Sequence, residues 1–143
     1  MSISETYAGN IIVVEGPFEY NAMCSGALAQ GRVVELNTTV VGLKENVPCV
    51  GLAVVNSAVP IGYVDSDWDS GDLCVVYTGG IARLEDSGSG ISAGAKVMCA
   101  ASGKIKTYAS GTLGAIVGVA LEAISSSTFG QVLVNISYMA DIA

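Results

Sequence analysis

Short apolar runs broken by turn residues recur along the whole chain, and this punctuation restricts it to an all-β fold. The runs fall at residues 11–15, 32–36, 50–55, 61–64, 73–77, 81–84, 96–100, 104–108, 116–122 and 131–138. That is about ten short strands at the regular spacing of a compact β-barrel or β-sandwich. Turn chemistry agrees. Tyr77-Thr78-Gly79-Gly80-Ile81 reads as one hairpin and Ala101-Ser102-Gly103-Lys104 as another, because Gly readily supplies a positive φ. The segment 131–138 alternates, with Val132, Val134, Ile136 and Tyr138 on one face. The stretch 113–124 is nearly all apolar, but Gly114 and Gly118 inside it disfavour a helix, and a buried strand fits better.

A chain of 143 residues fits one domain. Residues 1–22 read as an N-terminal arm with a first strand, and 23–143 as the barrel or sandwich. Gly88-Ser89-Gly90 is the one linker-like stretch. Each half around it has room for several strands, although a loop within a single domain fits the short chain better. The two halves share a faint likeness. GRVVEL, followed by VGLAVVNSA, resembles AKVMCA, followed by VGVALEAIS. This is either a duplication or two β units under the same packing demands.

Composition narrows the function. Charged residues make up 13% and hydrophobic residues 51%, against about 25% charged in ordinary domains. Mean hydropathy is +0.57, yet no stretch has the roughly 18 apolar residues a membrane helix needs. Much apolar surface must be hidden in another way, most simply in contacts between copies. The alternative is a monomer with an apolar but harmless surface. The net charge is −7 and the six basic residues are scattered, so no nucleic-acid footprint is expected. No signal peptide is visible, which implies synthesis in a reducing cytoplasm.

Chemistry-bearing constellations are sparse. There is no His, which removes the usual Ser and Cys triads. A Ser–Lys pair is conceivable, but no spacing selects one, so no catalytic residue, cofactor or metal site is expected. Cys24, Cys49, Cys74 and Cys99 form no CxxC pair and read as buried thiols. The densest acidic cluster is Asp65, Asp67, Asp69 and Asp72. Its spacing resembles a calcium loop, but Ser70 replaces the required Gly and Val76 the bidentate Glu. An acidic turn is the simpler reading. Trp68 within that turn is either an interface anchor or a local packing group. Tyr7, Phe18 and Tyr20, near the N-terminus, are the other interface candidates.

The C-terminal half carries a resemblance. Ala93-Gly94, Val97, Gly103-Lys104, Gly118, Ala120-Leu121-Glu122-Ala123, Ser125, Gly130, Val132 and Val134 resemble a phrase of the small capsid decoration (cement) proteins of tailed phages and related archaeal tailed viruses. VGLAVVNSA and SGDLCVVYTGGIARL resemble the central region of that family. The resemblance spans most of residues 24–138, and its turn and core residues specify a fold better than an activity. It implies a homotrimer on the outer surface of an icosahedral head, where it clamps neighbouring major capsid subunits. The four cysteines and the N-terminal segment depart from the family pattern. Two other readings stand beside it: a tail, fibre or surface-layer module, and a small β-barrel enzyme.

Overall fold

The computed structural model describes residues 3–4, 13–14, 19–38 and 47–138. Twelve strands occur there, two of them a minimal pair: β1 (Ile3–Ser4) against β2 (Val13–Val14). Of the expected 1–22 arm, residues 19–22 belong to a further strand, and the rest, with Tyr7 and Phe18, lies outside the described residues. The other ten strands form two five-stranded units.

The first unit is a closed barrel of β3 (Glu19–Cys24), β4 (Arg32–Leu36), β5 (Cys49–Leu52), β6 (Pro60–Val64) and β7 (Leu73–Tyr77), in the order β3-β5-β4-β6-β7. Closure comes from a parallel pairing of β3 with β5, Met23 opposite Cys49 and Cys24 opposite Val50. Its interior is filled by Ala22, Cys24, Leu28, Val34, Val50, Val64, Cys74 and Val76.

The second unit contains β8 (Gly79–Glu85), β9 (Lys96–Cys99), β10 (Ile105–Thr107), β11 (Ile116–Ala120) and β12 (Phe129–Ser137), in the order β10-β9-β11-β12-β8. Strand by strand, that is the order of the barrel. Even its closure has a counterpart, because Asp86 meets Ile105 in one parallel bridge. The likeness extends to single residues. Leu28 bridges Trp68 in the first unit, and Ile91 bridges Ile124 in the second. A Cβ on Gly62 would strike the Tyr77 carbonyl oxygen, and one on Gly118 the Leu133 carbonyl oxygen. The fold is therefore an internal duplication. The match of GRVVEL with AKVMCA holds for the strands, β4 and β9, but shifted by one residue, since Val34 opposite Gly62 corresponds to Val97 opposite Gly118. VGLAVVNSA corresponds instead to the β10 region, and the true partner of β11 is β6.

The units share a core. Alternation on β4 sends Val34 into the barrel and Val33 outward, and β6 does the same with Val64 and Tyr63. Val33 and Tyr63 join Ala82, Leu84, Val97, Val117, Val132 and Val134 in one buried cluster. The barrel wall thus covers the inner face of the second unit.

Two expectations are corrected. The 77–81 segment is no hairpin: β7 pairs with β3 and β6, whereas β8 pairs with β12. Thr78 is the only residue between β7 and β8, and the chain crosses there from one unit to the other. The strand β3 was not foreseen. The 101–104 turn is a hairpin as expected, with Ser102 and Gly103 at φ 58° and 74°.

Gly62→Ala and Gly118→Ala each push a side chain against a paired backbone oxygen, so each is expected to lower stability by about 1–3 kcal/mol. Chemical denaturation of the two variants checks this, and equal losses are expected from the equivalence of the sites.

Candidate functional site

The acidic turn between β6 and β7 is ordered by its own carboxylates. The Gln30 amide donates to Asp67 Oδ1 at 2.8 Å, and the Asp69 amide to Asp72 Oδ2 at 2.9 Å. Two of the four carboxylates are thereby turned onto backbone rather than toward a common centre. Among the described residues, no three His, Cys, Asp or Glu side chains gather closely enough to hold a metal ion. Asp65 lies near the barrel tyrosines. Burial foremost, and then the Asp65 charge, raise the Tyr63 hydroxyl above its ordinary pKa. For Tyr77 the Asp65 charge is the main cause of a rise.

Trp68 is half-buried and packs against the barrel core, pinned by backbone bonds to Leu28 in both directions. Its counterpart Ile124 plugs the second unit in the same way. Tyr20, on β3, also packs against the barrel interior, and burial is the first cause that pushes its hydroxyl up to about 12. The structure therefore brings neither into a common exposed cluster.

All four cysteines are free and buried. Cys24 and Cys74 share a thiol hydrogen bond, and burial, followed by that bond, pushes Cys24 up to about 12. Burial does the same to Cys99. Such thiols stay protonated at neutral pH and are poor nucleophiles.

A residue the sequence reading passed over holds the second unit together. Asp86 is fully buried, and its Oδ2 accepts from the amides of Gly88 and Gly90, both at 2.9 Å, and of Ser127 at 3.2 Å. The linker-like Gly88-Ser89-Gly90 is thus a loop wrapped on a carboxylate. The sequence signal was an acid two residues before a Gly-Ser-Gly turn. Next to it, Glu85 accepts from Arg32 and Lys104, both at 3.2 Å, and Arg32 also donates to the Ser102 carbonyl at 2.8 Å. This half-buried cluster ties the barrel to β8 and to the β9–β10 turn.

Several large apolar side chains are exposed elsewhere. Ile81 and Leu133 stand outward from the second unit, and Val54, Val55, Val59 and Leu113 outward from two loops. Exposed apolar side chains of this kind are suited to contacts with other molecules.

The chain is a duplicated five-stranded β unit that exposes several large apolar side chains. The same fold occurs in the head fiber gp8.5 N base in bacteriophage phi29, with a TM-score of 0.66 over 87% of this chain and 98% of that one. At 16% identity the likeness is one of fold. The family model for phage cement protein matches residues 25–136, and the chain belongs to that family. It is accordingly a capsid-associated structural protein of the virion. No curated protein matches it.

Two outcomes follow from these side chains. Asp86→Ala removes three charge-assisted bonds and is expected to cost about 3 kcal/mol in denaturant titrations. Cys24 and Cys99 release protons near 9.0 when unfolded but only near about 12 when folded. The folded state therefore holds protons that the unfolded state has lost, and this contribution is intact below pH 9 and disappears as the pH climbs toward 12. The urea midpoint is expected to fall across that window, and less steeply in a Cys24→Ala/Cys99→Ala variant.

Proposed function

We propose that this protein is a non-enzymatic cement subunit. It binds the outer surface of an icosahedral head as an oligomer, a homotrimer on the family resemblance, and stabilises contacts between major capsid subunits. The observation that carries the reading is the family match over residues 25–136. The apolar outer side chains of a chain with only 13% charged residues support it.

The physical requirement of such a role is modest. A ligand that binds only the assembled shell shifts assembly toward that shell by mass action. Many copies, each binding weakly, gain strength when one oligomer engages several sites. A rigid, duplicated β framework keeps the contact residues in place at little entropic cost on binding. None of this needs a reacting group, a cofactor or a metal. Synthesis in the host cytoplasm fits four free cysteines.

The likeness to the phi29 head fibre base favours a second reading, in which the chain is the foot of a projecting fibre or tail component. Electron microscopy of decorated particles separates low caps from projections.

The direct test is incubation with undecorated heads followed by sedimentation. Saturable co-sedimentation and a higher disruption temperature of the heads are expected. Purified protein that leaves head stability unchanged while binding nothing would sink the cement reading.

A further inference from the structure

The sheet of the second unit ends at β8, which pairs with β12 on one side only. The main-chain groups of successive strand residues point to alternate edges. The Asp86 amide donates to the Thr128 carbonyl, so the even-numbered residues here face β12. Gly79, Ile81, Arg83 and Glu85 therefore turn their amides and carbonyls the other way. Two bonds to the barrel agree with that parity: the Glu85 amide donates to the Gly31 carbonyl, and the Gly79 carbonyl accepts from the Tyr63 hydroxyl at 3.1 Å. Between them, the amides and carbonyls of Ile81 and Arg83 have no hydrogen-bond partner among the described residues. This stretch of edge is also accessible. A slot of about 300 Å³ runs beside it, lined by Ile81, Ala82 and Arg83 on one side and by Gln30, Tyr63 and Asp65 of the barrel on the other.

A row of unpaired donors and acceptors is a template for another extended backbone. The barrel shows the corresponding edge in use. There the equivalent strand, β3, takes β5 alongside it, and the amides of Met23 and Ser25 donate to the carbonyls of Pro48 and Val50. The second unit keeps one such bond, from the Ser87 amide to the Ile105 carbonyl. Upstream of it the edge stays open.

Side chains specify what an added strand would carry. Ile81 and Arg83 project from the outer face, opposite Leu133 and Gln131 of β12. Ile81 is 62% exposed, and Arg83 is exposed and makes no ion pair among the described residues. Residues directly across from these two on a new strand would stand on the same face, where an apolar side chain complements Ile81 and an acidic one Arg83.

We infer that the Ile81–Arg83 edge of β8 binds an extended peptide segment, with an apolar and an acidic side chain two residues apart, and adds it to the sheet as a further strand. The inference rests on the cement reading, under which the shell supplies that segment, and it names the site and the form of the contact.

Hydrogen exchange is measured on the free protein and on undecorated heads saturated with it. The Ile81 and Arg83 amides are expected to exchange quickly in the free protein, those of Ala82 and Leu84 slowly, and the first two to slow on the heads. Ile81→Pro removes one free donor and no bond to β12, a place where proline is tolerated in a strand. It is expected to bind heads at least about tenfold more weakly, whereas Ile81→Ala, which keeps the amide, binds more tightly than Ile81→Pro. Arg83→Glu is expected to weaken binding most at low salt. If Ile81→Pro does not fold, the exchange of the wild type decides. Wild type that binds heads with both amides still fast, or a folded Ile81→Pro that binds as wild type, overturns the inference and leaves the cement reading intact. Amides already slow in the free protein overturn it as well, and assign this edge to a second copy. Heads that bind no wild type remove the cement reading and this inference with it.

Discussion

Everything in this molecule depends on one wall that serves two cores. β4 and β6 alternate between Val34 and Val64, which fill the barrel, and Val33 and Tyr63, which cover the neighbouring unit. Strand periodicity makes this arrangement possible, because successive side chains face opposite ways and both faces can be apolar. A one-residue slip of either strand would exchange the two sets of side chains, so register is strongly constrained here. The glycines at 62 and 118 reinforce it. Each sits where the paired strand comes too close for any side chain.

The polar groups inside are few and attached to definite tasks. Asp86 replaces missing backbone partners in the loops that cap the second unit. Glu85, with Arg32 and Lys104, joins the two units on their partly wet side, where an ion pair adds little stability but fixes orientation. The duplicated halves have diverged most at such places. Cys24 occupies in the barrel the position that Asp86 occupies in the second unit: the Cys24 amide bonds the Asp72 carbonyl, and the Asp86 amide the Thr128 carbonyl. The barrel closes with two parallel pairs beside an apolar thiol, and the second unit with one bridge beside a carboxylate.

Much of the fold was legible because its signals are local. Alternating or fully apolar runs bounded by turn residues gave β4 and β7 at their observed limits and the strands of the second unit within a few residues. β3 escaped because Glu19-Tyr20-Asn21-Ala22-Met23-Cys24 shows its buried face only through Ala22 and Cys24, two small residues that carry little hydrophobic contrast. The 77–81 hairpin was misread because glycine marks any sharp change of direction, and only long-range pairing distinguishes a return from a crossing. The duplication was visible as a fragment. Its second half was misaligned, because VGLA and VGVA look alike in sequence while their strands occupy different places in the ladder. Asp86 and the free edge of β8 could not be read from sequence, since both are defined by what lies beside them in space. Trp68 and Tyr20, named from sequence as interface candidates, both pack against the barrel core and remain partly exposed.

The buried cysteines have a consequence for a particle that leaves its host. Outside the cell the shell meets oxygen, and exposed thiols would crosslink adjacent subunits or neighbouring particles in random ways. Here every thiol lies inside a folded unit, and those of Cys24 and Cys99 are held in the protonated form. An oxidising medium therefore meets no exposed thiol on this chain.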